Sequence, residues 1–261
     1  MSRRRRSTDE DVKTEPFVAP GMPRPVWKTS EVVALALVRS IVERGLLSGD
    51  RLPLEAERVD QSGVSRESLR EALRLLEAQG IVSIRRGPGG GPVVGRAESM
   101  NLARTMTLYF QLAGATYDEL LLAWRMLEPL AAELAARNPD RALVERTLAG
   151  HVEDFDDHGE LSAYMAHSNS LHFSVVDLAD NRVLALVVGA IGDIIRTHVL
   201  LQVDPFALRE LIDDDHAAIA TSVIAGDPEA ARRAMLDHIA GLDPVYRAHW
   251  DGDVDEIIEW K

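Results

Sequence analysis

The chain has 261 residues and a formal net charge of −13, and it contains no cysteine. The lack of thiols excludes disulfides, zinc ribbons and cysteine nucleophiles, and no apolar run reaches the roughly 20 residues of a membrane span, so we expect a soluble cytoplasmic protein without a membrane partner. Residues 1–98 carry 17 basic and 14 acidic side chains whereas residues 99–261 carry 12 and 28, which favours two domains with different partners.

Residues 1–25 are polar and charged and lack hydrophobic periodicity, which predicts a disordered basic arm. Its Arg3–Arg6 run can contact DNA phosphates, because salt screens the distant acidic charge within about 10 Å. The alternative is a tail that is simply solvated.

Residues 26–97 have the pattern of a small helical domain that ends in a hairpin. Ser30 is placed to cap a first helix, which has an apolar stripe and ends near Gly45. A turn, "SGDRLP", then leads to a short second helix at about Glu55–Gln61.

A third helix runs from a cap at Ser65 to about Gly80. Its buried face is formed by Leu69, Ala72, Leu73 and Leu76. The segments "IVSIRR" and "PVVGR" that follow are short strand candidates, and they are joined by a glycine-rich tip at residues 87–91.

Three helices followed by a two-stranded wing are typical of a module that reads duplex DNA. Arg66 and Arg70 share one helix face, where guanidinium groups bind guanine edges or clamp phosphates. The hydroxyls of Ser65 and Ser68 can donate to phosphate oxygens, and an arginine at the hairpin tip can enter the minor groove. The alternative is a solvated amphipathic helix with a surface hairpin.

Residues 30–95 resemble the winged helix-turn-helix of GntR-type bacterial repressors. The resemblance rests on G-x-x-L-P-x-E at 49–55, G-V-S-R at 63–66, L-R-E-A-L-R-x-L-E-x-x-G at 69–80 and R-G at 86–87. It implies a sequence-specific repressor whose DNA contacts include Arg66, Ser68, Arg70 and the wing residues Arg86 and Gly87.

One position departs from that family pattern. The arginine that usually follows the Glu55 position is Ala56 here, and Arg58 stands two residues further on. Either Arg58 substitutes from its shifted position, or the protein reads its operator with one contact fewer.

Residues 98–250 have an all-helical pattern of about seven helices, followed by a tail at 251–261. Thr116 and Glu119 form a predicted capping box. Three further helix starts are predicted where a turn residue precedes a proline, at Asn138-Pro139, Asp204-Pro205 and Asp227-Pro228.

Three histidines occupy apolar helix faces in this region, and these are His172, His216 and His238. A single buried histidine is usually a hydrogen-bonded core residue. Three on separate helices instead favour a divalent metal site, because imidazole is a common ligand for zinc and nickel.

The same region resembles the FCD branch of GntR regulators in "WRMLEPLAAELAAR", "LHFSVVDLADNRVL" and "DHAAIATSVIAGDPEAARRAMLDHI". The resemblance implies a helical bundle that senses an organic acid, a metal or both. In metal-binding members an aspartate stands four residues before the first histidine, and here that position is Ser168.

Two further residues are candidates for effector binding. Arg125 either clamps a ligand carboxylate or pairs with Glu128 three residues later. Asn181 either bonds the ligand or caps a helix.

We expect a homodimer on a palindromic operator, since one recognition helix covers only a few base pairs. No catalytic residue is predicted, because no general base such as that of H-E-x-x-H accompanies the histidines. The main alternative is the same DNA-binding dimer with a C-terminal domain that is only a dimerisation scaffold, or that holds a metal-free ligand such as a fatty acyl compound.

Overall fold

A computed structural model describes residues 27–52, 65–87, 90–152, 160–199, 209–249 and 254–260. The arm at 1–25, the short helix predicted at Glu55–Gln61 with Arg58, and the start predicted at Asp204-Pro205 lie outside these residues. The fold is mainly α-helical, as the sequence predicts, with a two-stranded wing near the N-terminus.

The N-terminal head consists of two described helices and the wing. Helix α1 is Thr29–Glu43 and helix α2 is Arg66–Ala78, and the antiparallel strands are β1 (Val82–Arg85) and β2 (Gly91–Val94). The head has its own small core, formed by the buried side chains of Leu52, Leu76, Val82 and Val94.

Helix α2 begins as the sequence predicts, because the Ser65 side chain accepts a hydrogen bond from the Ser68 backbone N–H. Its backbone ends in a left-handed residue, Gly80, with φ of 70°. At the wing tip Gly87 has φ of 102°, a conformation that suits glycine because it lacks a Cβ.

The C-terminal bundle contains seven described α-helices, the number that the sequence predicts. They are α3 (Ser99–Ala113), α4 (Tyr117–Ala136), α5 (Arg141–Leu148), α6 (Leu161–Leu178), α7 (Arg182–His198), α8 (Arg209–Ala225) and α9 (Pro228–His249). Helix α4 packs against α9, α9 against α8, and α3 along α7. Alanines such as Ala131, Ala132 and Ala135 are fully buried and allow close approach of the helices.

Arg141 joins two helix ends inside this bundle. Its guanidinium donates to the carbonyl oxygens of Ala136 and Asn138 at the end of α4, and to those of Val223 and Ile224 at the end of α8. Carbonyls at a helix C-terminus lack partners within the helix, so the cation helps to satisfy them and complements both helix dipoles, and Val223 also accepts from the Gly226 N–H.

The segment 254–260 returns to the start of α4. Tyr117 and Asp118 donate their backbone N–H groups to the carbonyls of Glu256 and Val254. Ile258 is buried against the bundle. The C-terminal segment therefore supplies acceptors for the first turn of the helix.

Two predicted helix starts are corrected by the structure. Glu31 accepts a hydrogen bond from the Lys28 N–H, so α1 begins at Thr29 and Ser30 lies buried in its first turn instead of capping it. Asn138 accepts from the Asp140 N–H, and Asp140 in turn caps α5 through Leu143, so Pro139 precedes the helix.

Two other predicted starts are confirmed. The Thr116 side chain accepts from the Glu119 N–H while the Glu119 carboxylate accepts from the Thr116 N–H. Asp227 accepts from the Ala230 N–H, and Pro228 is the first residue of α9. Among the described helices, none is both long and apolar enough to cross a membrane.

Candidate metal centre and DNA-reading face

The three predicted histidines meet inside the bundle. His172 lies on α6, His216 on α8 and His238 on α9, and one ring nitrogen from each lies within 4.8 Å of the others. His216 and His238 are 4% and 1% exposed, so both rings are shielded from bulk solvent, whereas His172 is half-buried. The periodic apolar faces around each histidine bring the three rings to one point.

Two carboxylates hold two of the rings. Glu128, itself buried on α4, has Oε1 2.7 Å from His172 Nδ1. Asp215 Oδ2 lies 3.2 Å from His238 Nδ1. A carboxylate accepts from the protonated Nδ1 and leaves Nε2 with the lone pair that a metal requires.

The remaining contact joins two of these Nε2 atoms. His216 Nε2 and His238 Nε2 are 3.3 Å apart. Two nitrogens bound to one tetrahedral zinc at 2.0–2.1 Å would lie roughly 3.3 Å apart. The spacing therefore fits a shared metal ion, and it equally fits a weak hydrogen bond between two neutral rings.

The histidines differ in how readily they take a proton. Burial and the neighbouring imidazoles hold the pKa of His216 well below its usual value. Burial also lowers the pKa of His238, although the hydrogen bond that Asp215 accepts from its ring opposes this shift. Burial lowers the pKa of His172 as well, but the charge and hydrogen bond of Glu128 outweigh burial and raise it overall. The two neutral rings are thus ready to donate lone pairs.

The histidines line a cavity of about 70 Å³. Its other walls include Trp124, Phe173 and Val188, together with the polar side chains of Ser168, Asn169 and Arg196. Since a water needs about 10–15 Å³ of such volume, there is room for a handful of waters or a small organic molecule.

The structure does not bring Arg125 to this cavity. Arg125 is exposed on α4 and borders a separate, very small cavity beside Ile239 and Asp243. Its other predicted partner, Glu128, is buried and bonded to His172. Helix α4 is rotated so that Glu128, and not Arg125, faces the histidines.

Asn181 is placed as a helix cap. Its side-chain oxygen accepts from the N–H groups of Val183 and Leu184 at the start of α7. The residue is exposed and does not line the histidine cavity.

Four polar residues of the site were not predicted, and these are Glu128, Asn169, Asp215 and Arg196. Asp215 precedes His216 directly and points to the other helix, so its partner is visible only in three dimensions. Arg196 stands in "GDIIRT", where Asp193 three residues earlier is the only sequence signal for a buried ion pair.

The predicted DNA-binding residues lie on an open face of the head. Arg66, Arg70 and Arg86 are exposed, and Ser65 and Ser68 join each other through their hydroxyls at 2.9 Å. Arg66 opens helix α2, and Arg86 and Gly87 follow strand β1 at the wing tip. The helix start and the wing tip thus present three guanidinium groups to solvent.

Comparison with known proteins matches each half of the chain to a family. Residues 29–90 match the bacterial regulatory proteins of the gntR family, and residues 119–241 match the FCD domain. The Exu regulon transcriptional regulator of Escherichia coli (strain K12) is 30% identical over 209 residues, which are 76% of this chain and 77% of that protein.

Two further similarities cover most of the chain. The Glc operon transcriptional activator of Escherichia coli (strain K12) is 27% identical over 218 residues, 80% of this chain and 85% of that protein. A solved structure of Streptococcus agalactiae GntR superposes with a TM-score of 0.60 at 23% identity, covering 84% of this chain and 99% of that one. The last likeness concerns the fold alone.

Proposed function

The chain belongs to the GntR family of transcriptional regulators and carries an FCD effector-binding domain, and we propose that its effector is a small carboxylate held beside a divalent metal. The observation that carries this proposal is the convergence of three imidazoles on one point of the bundle. Zinc or nickel would be held by His172, His216 and His238, with an open position for water or the ligand. A bound metal supplies a Lewis acid that attracts the carboxylate.

The residues present fit a divalent ion. The 3.3 Å between His216 and His238 equals the edge expected for two ligands of one zinc. Ser168 lines the cavity but lacks the charge of the aspartate that its position has in metal-binding relatives. Glu128 and Asp215 supply negative charge just outside the ligand set, because each accepts a hydrogen bond from a histidine that would bind the metal.

The size and charge of the cavity support a small anionic effector. Drug-sized ligands occupy pockets of roughly 300–1,000 Å³, whereas this cavity has about 70 Å³. That volume favours an acid of a few heavy atoms over a fatty acyl compound. Arg196 at the wall can pair with the acid.

For DNA recognition we propose the exposed residues of the head. Arg66, Ser68 and Arg70 on α2 would contact the major groove and its phosphates, with Ser65 at the helix start. Arg86 and Gly87 would contact the adjacent minor groove. Arg58 is retained as a candidate, although it lies outside the described residues.

We further propose that the protein works in the cytoplasm as a homodimer on a palindromic operator, and as a repressor. Support for self-association comes from an apolar row on the exposed side of α4. Leu122, Met126 and Leu130 recur every four residues and are 46%, 67% and 40% exposed. A row of this kind at helical spacing is typical of an interface between subunits.

The test of the metal site is calorimetric titration of the purified protein with zinc and with nickel. Wild type should bind, and His216→Ala should lose most of the heat. His198→Ala is the matched control, because His198 is also buried but does not line the histidine cavity and is bonded to Tyr117. Equal heats for all three proteins, or none for any, would reject the metal site.

A second candidate is a metal-free bundle that only joins the subunits. It is favoured by the hydrogen bonds that partly satisfy the histidines internally, including the one between His216 and His238. On that alternative, His216→Ala changes stability but neither protein binds zinc.

A further inference from the structure

One arginine of the cavity wall has hydrogen-bonding capacity that the described residues do not use. Arg196 lies on α7, and its NH2 atom donates to Asp193 Oδ1 at 2.9 Å. Its Nε atom is buried and has no hydrogen-bond partner among the described residues. A buried unpaired N–H is costly, and in a cavity wall a ligand oxygen is the natural acceptor.

Asp193, the partner of Arg196, also contacts the first helix after the DNA-binding head. Asp193 is only 3% exposed, and its second oxygen accepts from Ser99 Oγ at 2.6 Å. Ser99 is the first residue of α3, directly after the wing. The carboxylate of Asp193 therefore joins the cavity arginine to the helix that leaves the DNA-binding head.

Close packing reinforces this connection. Gly189, which lines the same cavity, faces Ser99 so closely that an added Cβ would lie 2.9 Å from the serine Cβ. The start of α3 consequently packs directly against the backbone of α7. A small displacement of the cavity wall would therefore move the start of α3.

The first turn of α3 also contacts the turn that follows the recognition helix. Asn101 lies over Gly80, the glycine that ends α2, with its amide at 2.2 Å from where a Cβ would be. Ser99 therefore contacts α7, which lines the cavity, and Asn101 contacts Gly80, which follows α2.

We propose that Arg196 is the anion-binding residue of the histidine cavity and that Asp193 and Ser99 transmit its occupancy to α3 and to the recognition helix. The ligand class is a small carboxylate, which binds the Arg196 guanidinium and competes with Asp193 for the same cation. The inference rests on the proposed sensing function. It adds the residue that binds the anion and the contacts that transmit this binding to the head.

Competition for one cation gives the path its physical basis. When a second carboxylate approaches Arg196, the pair with Asp193 weakens, because two anions now share a single positive charge. Asp193 is buried, so it compensates through Ser99, its other partner, and α3 shifts on α7. A ligand changes a conformation only through such unequal interactions with the two states.

The first experiment measures anion binding. The zinc-loaded protein is titrated with acetate and with succinate, a mono- and a dicarboxylate small enough for the cavity. Arg196→Gln should weaken binding of the better probe at least tenfold, and Arg196→Lys should weaken it less. Arg125→Gln, the matched control on an arginine outside the cavity, should bind as wild type does.

The second experiment measures transmission. Because the chain contains no cysteine, spin labels can be attached at Glu77→Cys on α2 and Glu145→Cys on α5, both exposed positions. Excess unlabelled protein isolates the distance within one chain. The carboxylate should shift that distance in wild type, but not in Ser99→Ala or Asp193→Asn, although both variants still bind the probe.

The outcomes separate this inference from the proposed function. No binding of either carboxylate to zinc-loaded wild type, or equal binding by Arg196→Gln, overturns the role of Arg196. An unchanged distance in wild type, or a full shift in Ser99→Ala, overturns the path. Each of these results leaves the metal site standing if His216→Ala still abolishes zinc binding, and loss of the metal site itself is recognised by absent zinc heats in wild type.

Discussion

Replacement of Glu128 by glutamine tests whether a carboxylate outside the metal's ligand set tunes the centre. The amide has nearly the same shape and can still accept from His172 Nδ1, now at 2.7 Å from the carboxylate. What disappears is the negative charge. Oε2 of Glu128 is buried and has no hydrogen-bond partner among the described residues, so the charge is stabilised mainly by His172 and by any cation in the site.

The expected magnitude follows from that geometry. Loss of a partner that orients a metal-binding histidine lowers metal affinity about 10–100-fold, or roughly 1.4–2.7 kcal/mol. At saturating zinc the metal-induced stabilisation falls by the same amount, which is about 3–10 °C of the zinc-dependent rise in Tm. Without zinc the variant should keep nearly the stability of wild type, because the amide still accepts from His172 Nδ1 and its buried NH2 replaces an equally unpaired oxygen.

The assay combines zinc competition against a chromophoric chelator with thermal unfolding in the presence and absence of zinc. Glu133→Gln is the control, since Glu133 lies on the same helix but pairs with Arg137 and Arg232 outside the cavity. Unchanged zinc affinity in Glu128→Gln would refute the reasoning. Equal losses in both variants would indicate a general weakening of α4 instead.

Three further predictions concern the head, the bundle and its response to pH. Arg66→Ala and Arg70→Ala should each weaken binding to an operator selected from random duplexes by about 1–3 kcal/mol if each arginine makes a paired base contact. Wild-type affinity in both variants at physiological salt would contradict the assignment of α2. Arg141→Ala should lower the free energy of unfolding by about 3 kcal/mol, since charged hydrogen bonds to four helix-end carbonyls are lost. The surface pair variant Arg137→Ala should stay within about 1 kcal/mol of wild type in the same denaturant titration. Burial and nearby imidazoles lower the pKa of His151 from 6.5 to about 4. The unfolded chain therefore takes up this proton first as pH falls, and stability present above pH 6.5 is lost between pH 6.5 and 4. Metal-free His151→Gln should escape up to about 3 kcal/mol of that loss, and an equal loss in both proteins would exclude His151 as its source.

The elements that sequence reasoning predicted correctly are those fixed by local chemistry. Ser65 and Thr116 cap their helices because a hydroxyl three residues before a free N–H needs no distant partner. The histidines converge because each stands on an apolar face that must be buried.

The residues that sequence reasoning missed depend on contacts between distant helices. Glu128 looked like a surface partner for Arg125, yet its acceptor role is with His172, 44 residues away. Helix α4 is buried on several sides, so its periodicity does not reveal which polar residue turns inward. Arg196 was hidden in the same way, since its importance lies in the contact of Asp193 with Ser99, 94 residues earlier.

The return of residues 254–260 to the start of α4 has a consequence for the order of events during synthesis. The DNA-reading head is complete once residue 94 has emerged, whereas the histidine cavity needs His238, and α4 receives its last acceptors from Val254 and Glu256. Translation at about 5–20 residues per second separates these two points by roughly 10–30 s. Each nascent chain accordingly passes through a period in which the head is already formed while the histidine cavity is still incomplete.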